Sequence, residues 1–285
     1  MSHNRNDAAT PDFALPGHSI LVLQGADAVA FAQGQFMNDI AALSDGQWQW
    51  NGWLTPKGRV IALFALLRLD AQTLWLLLPD VDAAGFAQML QRYVFRSKVV
   101  LKRIDTTVSA NFCAPLQARL AAFAVLEDGQ LELDMSAEGG PRRLLIGAAP
   151  AAEDHDALVR WMQADLAHGL PRLPDSQREQ WTPQQLSLDR LRGFSVKKGC
   201  YPGQEIVART HFLGQVKRGL ALYQATSAVT VGSEVIADPD RSIGKILCTA
   251  GALALAVVPL DATTEGLHAA GIALQAAPLL GGLVR

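Results

Sequence analysis

Cysteine is scarce. Three in 285 residues, at 113, 200 and 248, are too few and too scattered for a disulfide framework or a paired-thiol metal site. Free thiols in a reducing cytoplasm are the expectation. Long apolar runs are missing too. The run 60–67 is stopped by Arg68 and the run 251–260 is short, whereas a bilayer span needs roughly 18–20 residues. Residues 1–12 are polar without a hydrophobic stretch, so neither a secretory leader nor membrane contact is expected. Charge is modest at 18 %, with a net of −2, which argues against wholesale coating by nucleic acid. There is no G-x-G-x-x-G opening a helix, no Walker A sequence, no H-E-x-x-H and no G-x-S-x-G elbow. His155 and His168 lie thirteen apart, a spacing that suits surface or satisfied core residues better than zinc. A self-sufficient metal or nucleophilic hydrolase therefore has little support.

What is present is a chain that is 49 % hydrophobic, long enough to bury a substantial core in two or three subdomains. Residues 1–16 read as a flexible N-terminal arm. The pattern over 20–104 predicts β-α-β-β-β-α-β. A strand at 18–23 is followed by a helix over 28–43 with Val29, Phe36, Ile40 and Leu43 on one face. A half-buried strand at 47–54 and a Thr55-Pro56-Lys57-Gly58 turn come next. A hairpin of 59–69 with 73–78, a helix over 81–94 and a strand at 98–104 complete the run. Helices packed on a mostly antiparallel sheet make this α+β. Short strands at 107–112, 123–126 and 143–146 precede a helix over 154–168 that Gly169 ends. Thr182-Pro183 starts a short helix carrying Leu186 and Leu188. Beyond 212–214 the pattern changes to strands alone, at 216–224, 229–236, 242–249, 252–258 and 273–280, as in a small barrel. The division expected is 17–104, 105–212 and 213–285, with the first two parts open to interleaving.

The densest chemistry lies in Lys197-Lys198-Gly199-Cys200-Tyr201-Pro202-Gly203-Gln204-Glu205 and runs on to Arg218. Seven Lys/Arg face one acid, Glu205, between 190 and 218. A thiol is activated by nearby cations or a helix N-terminus. Lys198 and a helix starting at Gln204 would supply both to Cys200; the alternative is an inert thiol in a tight turn. Cys113 and Cys248 sit in apolar strands and are expected in the core. Gln204 and Glu205 can read the edges of a heterocycle, or Glu205 can pair with Arg209 at i,i+4. The lysines are either a solvated face or an edge for a carboxylate or phosphate. Asn38 and Asp39 either cap a helix end or face a ligand.

Lys198-Gly199-Cys200-Tyr201-Pro202-Gly203-Gln204-Glu205, continued by Val207-Ala208-Arg209, resembles the K-G-C-Y-x-G-Q-E motif of the YgfZ family, folate-binding relatives of the glycine-cleavage T-protein. Gly25-Ala26-Asp27-Ala28 with Asn38-Asp39-Ile40 is similar to that family's G-x-D-A and T-N-D-I segments. Pro56-Lys57-Gly58-Arg59 resembles its P-K-G-R turn. The resemblance spans about 20–220. It implies a T-protein-like ring of two mixed α/β subdomains plus a C-terminal small β-barrel. It implies tetrahydrofolate or a one-carbon derivative in a central channel, and a role in assembling or repairing iron–sulfur enzymes, including those that thiomethylate tRNA. Asn38 and Asp39, then Asp189, Gln204, Glu205 and Arg209, are the folate-binding candidates. Cys200 is the functional thiol, with Lys198 beside it. One thiol cannot hold a cluster alone, so no stably bound metal is expected, and contact with iron–sulfur enzymes or cluster carriers would be transient. Two departures stand out. Met37 replaces the family's Thr, and no carboxylate follows Arg59 before Asp70, where T-proteins carry an acid acting at the folate. The rival readings are a tetrahydrofolate-dependent aminomethyltransferase or demethylase, and a tRNA-binding module using 190–218.

Overall fold

The computed structural model describes residues 11–214, 216–237, 241–263 and 265–285. Its strands are β1 Phe13–Ala14, β2 Ser19–Gln24, β3 Gln47–Leu54, β4 Val60–Asp70, β5 Thr73–Leu78, β6 Val100–Ile104, β7 Val108–Asn111, β8 Ala124–Val125, β9 Leu131–Asp134 and β10 Arg143–Ile146. The last six are β11 Arg218–Ala225, β12 Glu234–Ala237, β13 Arg241–Ala250, β14 Leu253–Pro259, β15 Leu267–Ala269 and β16 Ile272–Ala277. The α-helices are α1 Ala28–Gln35, α2 Ala83–Gln91, α3 His155–Ala167 and α4 Gln204–Phe212. The fold is α+β, with two five-stranded antiparallel sheets and a barrel.

The first sheet has the order β3-β4-β5-β2-β6. One face carries Leu21, Leu23, Phe64 and Leu76 against α1 and α2; the other presents Ile20, Val22, Trp48 and Trp50 to a second core. Both faces are covered, so β3 is buried along nearly its whole length and is not the half-exposed strand its alternation predicts. The second sheet, β1-β7-β10-β9-β8, closes that shared core with α3. β1 belongs to it, pairing Phe13 with Ala110. Phe13 stacks 5.5 Å from Phe112 and sits edge-on to Trp161 at 6.1 Å. The flexible arm expected over 1–16 is therefore corrected from Phe13 onward, because Phe13 and Leu15 are core residues; residues 1–10 lie outside the described residues.

Other expectations shift for local reasons. α1 stops at Gln35, not 43, since Phe36 turns extended (φ −101°, ψ 158°) and bridges to Trp53. The short helix after Thr182 becomes turns and a 3-10 segment, Leu188–Leu191, because Ser187 takes a left-handed φ of 47°. Cys248 is buried as expected, but Cys113 lies past the end of β7 and is half-buried.

β11-β14-β13-β12-β15-β16 form a closed barrel. Its own core of Val235, Ile246, Ala256 and Leu274 lines the inside. After β16 the chain returns to the sheets. Leu280 N donates to Ala167 O at 2.8 Å, Trp50 Nε1 to Leu283 O at 2.8 Å, and Arg285 Nη2 to Asp134 O at 2.8 Å. Among the described residues no helix is long and apolar enough to cross a membrane.

Candidate functional site

The site is built where the loop after α1 meets the 188–203 segment. Met37 donates its N–H to Gly52 O at 2.9 Å. Gly52 permits that approach, since a Cβ there would lie 2.7 Å from both Ala62 O and Met37 Cε. The next residue, Asn38, is buried and almost fully committed. Its Nδ2 donates to Trp50 O at 2.9 Å and to Arg192 O at 2.7 Å, its Oδ1 accepts from Asp39 N at 2.9 Å, and its own N–H goes to Asn51 Oδ1 at 3.0 Å. With both amide hydrogens used, Asn38 clasps the first sheet to the loop at 192. Asp39 is more open. Its Oδ1 accepts from Gln33 Nε2 at 2.9 Å.

Lys198 is not beside the thiol as an activating charge. It is 6 % exposed, and its Nζ donates to Gln33 O and Phe36 O at 2.5 Å and to Asn38 O at 3.1 Å. The C-terminal carbonyls of a helix have no intrahelical partner, and the ammonium satisfies those at the end of α1. Burial pulls Lys198 down to about 8, with Asp39 acting in the opposite direction. Its charge also lies 4.9 Å from the Tyr201 ring centroid. Tyr201 is buried, its hydroxyl donates to Ser195 O at 3.0 Å, and burial pushes its pKa up to about 12.

The thiol turn docks on the Thr55-Pro56-Lys57-Gly58 turn, glycine against glycine. Gly203 has a φ of +79°, and a Cβ there would meet Thr55 O at 2.6 Å and Gly58 Cα at 2.7 Å. Gly58 has a φ of +69°, with Ile206 Cβ 2.8 Å from where its own Cβ would be. α4 starts at Gln204 as the sequence predicts, but Gln204 N–H bonds Tyr201 O at 3.1 Å, so it is not aimed at the sulfur. Cys200 stands exposed at this turn. Gln204 Nε2 is committed to Lys198 O at 3.1 Å. Glu205 and Arg209 are exposed and form no ion pair with each other among the described residues.

Beside the clasp lies a cavity of about 590 Å³, lined by Asn38, Asp39, Gln49, Asp189, Arg192 and Lys197. Phe194, His211 and Arg285 complete much of its wall. Three sequence candidates, Asn38, Asp39 and Asp189, thus meet in one place. Cys200, Gln204, Glu205 and Arg209 do not line it. Gln49 is 8 % exposed, and its Nε2 has no hydrogen-bond partner among the described residues. A buried donor left unpaired costs about 1–3 kcal/mol, so this amide is a feature of the cavity to be explained. Sequence reasoning missed Gln49, which read as the polar side of a strand. It also missed Phe194 and Arg285, for which no local signal exists. β4 brings no acid to the region: Val60 is buried, and Asp70 lies at the far hairpin, accepting from Gln72 N at 2.7 Å. Among the described residues no cluster of three or more His, Cys, Asp or Glu is placed to hold a metal ion.

Residues 217–279 match the family model described as CAF17, C-terminal beta-barrel domain, which corresponds to the β11–β16 barrel. A protein called tRNA-modifying protein YgfZ from Klebsiella pneumoniae (strain 342) is 28 % identical over 230 residues, 74 % of this chain and 70 % of its own length. The protein of that name from Vibrio vulnificus (strain YJ016) is 27 % identical over 256 residues, 83 % of this chain and 77 % of its own. Over most of its length the chain is thus similar to proteins of the YgfZ family. The crystal structure of glycine cleavage system aminomethyltransferase T from Bartonella henselae superimposes with a TM-score of 0.70, covering 94 % of this chain and 85 % of that one. At 14 % identity that likeness shows the T-protein fold alone. The Lys198–Glu205 motif and the Pro56–Arg59 turn, the segments that resemble the YgfZ family, pack together through Gly203 and Gly58, and Asn38 lines the 590 Å³ cavity.

Proposed function

We propose that this chain is a cytoplasmic folate-binding accessory factor in the assembly or repair of iron–sulfur enzymes, those that modify tRNA among them. The observation that carries the folate half is the cavity holding the buried, unpaired Gln49 amide beside the Asp39 carboxylate. Its size lies within the usual 300–1,000 Å³ of small-molecule sites. A pterin edge presents donors and acceptors together, and Gln49 Nε2 with Asp39 supplies the complementary set. Arg192 and Lys197 on the exposed side suit the carboxylates of a glutamate tail. A bound tetrahydrofolate would supply one-carbon carrying capacity there. This chain's residues bind and orient it, and Asn38 holds the loop that carries Asp39.

The tRNA half draws support from the printed names of the relatives. Cys200 is exposed at a turn that glycine packing fixes, which suits a thiol offered to a partner protein in redox or sulfur chemistry, or as a transient cluster ligand. Aminomethyl transfer is disfavoured, since β4 puts no carboxylate where electrostatic stabilisation of that reaction would need one. Calorimetric titration with tetrahydrofolate and its one-carbon derivatives tests the first half, with a Gln49→Leu variant expected to weaken binding about tenfold. No heat at millimolar ligand removes it. For the second half, full recovery of an iron–sulfur tRNA-modifying activity by Cys200→Ala in a deletion strain would exclude the thiol.

A further inference from the structure

In the basic run at 190–218 three cations are committed to backbone carbonyls, though only Lys198 is buried. Lys198 is buried, Arg190 Nη2 donates to Leu280 O at 2.8 Å, and Arg218 Nη1 donates to Ile243 O at 2.9 Å. A second run keeps its charge free. From Ala83 to Ile104 the sequence has five cations (Arg92, Arg96, Lys98, Lys102 and Arg103) and no acid. The fold places them at the C-terminal end of α2, the turn after it and the edge strand β6, whose outer side is unpaired among the described residues. All five are exposed. Arg103 is paired, to Asp105 at 2.8 Å and Asp82 at 3.9 Å; the other four side chains have no acidic partner among the described residues. Asp27 accepts from the Lys98 backbone N–H at 2.7 Å.

Aromatics stand among these cations. Phe95 is 85 % exposed, and Tyr93 is 47 % exposed with its ring edge-on to Trp53 at 5.7 Å. The Arg96 guanidinium lies 5.2 Å from the Phe95 ring centroid. A chain with net charge −2 does not gather unpaired cations around exposed rings by composition alone. Stacking platforms set in a cationic surface are how proteins hold unpaired nucleotides. We propose that the 92–103 surface docks RNA, its cations meeting phosphates and Phe95 stacking an unpaired base. The inference rests on the function proposed above only in the choice of tRNA as probe.

The test is fluorescence anisotropy of bulk tRNA with the full chain between 50 and 200 mM salt. Phe95→Ala is expected to weaken binding about tenfold with the salt slope unchanged. Arg92→Ala with Lys102→Ala should lower the slope of log K against log salt by about 1.4, since each phosphate contact contributes about 0.7 for single strands. Arg209→Ala with Lys217→Ala, in the other basic run, should stay within twofold of wild type. Equal binding by all variants, or no tRNA binding at 50 mM salt, overturns the proposal. So does Phe95-dependent binding to phosphatidylserine vesicles, or Phe95-dependent self-association in sedimentation, with tRNA affinity unaffected by Phe95→Ala. Tetrahydrofolate titration of the same variants separates the two proposals. If no variant nor wild type binds folate while the tRNA pattern holds, the folate reading falls and this one stands.

Discussion

Replacing Lys198 with methionine keeps most of the side chain's length and removes its ammonium. Three carbonyls, of Gln33, Phe36 and Asn38, then lose their donor in a buried place. A hydrogen bond from a charged group contributes about 1.5–3 kcal/mol, so the three together hold about 6 kcal/mol. Against that stands the cost of burying the charge. The Lys198 pKa falls from 10.5 to about 8, and at about 1.4 kcal/mol per pH unit the penalty is about 3 kcal/mol. Lys198→Met should therefore destabilise the fold by about 3 kcal/mol at pH 7. The pH dependence is more diagnostic. Between pH 8 and 10.5 the unfolded chain keeps this proton and the folded chain has released it, so the unfolded state binds more protons and stability rises with pH. The penalty is present in full below pH 8 and relieved above it. The stability gap between wild type and Lys198→Met should widen from pH 8 to 10 by about 1.4 kcal/mol per unit. Urea unfolding followed by tryptophan fluorescence at pH 7, 8, 9 and 10 measures the gap. A gap that stays constant or narrows would show that Lys198 is not the buried cap of α1.

Three other substitutions separate scaffold from chemistry. Gly203→Ala forces a Cβ to within 2.6 Å of Thr55 O at a left-handed φ, and should cost about 2–4 kcal/mol by chemical denaturation. Asn38→Ala removes both donors of the clasp to Trp50 O and Arg192 O; a loss of about 2–3 kcal/mol is expected, with faster proteolysis in the 188–198 segment. Cys200→Ala, at an exposed site with no hydrogen bond to its sulfur among the described residues, should leave the unfolding free energy from urea denaturation unchanged within about 0.5 kcal/mol, so any loss of function it causes is chemical.

Strands were legible wherever apolar runs ended in turn residues. Thr73–Leu78 and Arg143–Ile146 stand as their patterns predict. Pairing through distant partners was not legible. β1 is two residues long, and its place in the second sheet depends on Ala110 and the rings of Phe112 and Trp161. The end of α1 is set by Trp53 and by a lysine 160 residues on, as in the Nζ bond to Asn38 O, and no local propensity encodes either. The same holds for the site. Cys200 and the Asn38-Asp39 pair announce themselves by motif, whereas Gln49 becomes notable only when the sheet is covered on both faces. Lys198 stands two residues from Cys200 in the sequence, but its ammonium is committed to the carbonyls of Gln33, Phe36 and Asn38. In fact the two side chains leave the turn differently, one into the protein and one to solvent.

The return of the chain after β16 has a mechanical consequence. A module joined by one linker can turn about three axes; one anchored at two separated points can only swing about the line between them. Here the barrel is held at its entry by α4, whose Val207 carbonyl accepts from Gln184 Nε2 at 2.8 Å, and at its exit by Leu280, Leu283 and Arg285. The exit also contributes Arg285 to the cavity wall. That remaining swing is blocked as well, because Leu247, Cys248 and Leu255 share a core with Trp161 and Leu166 of α3, so the barrel holds the cavity wall at Arg285 in place.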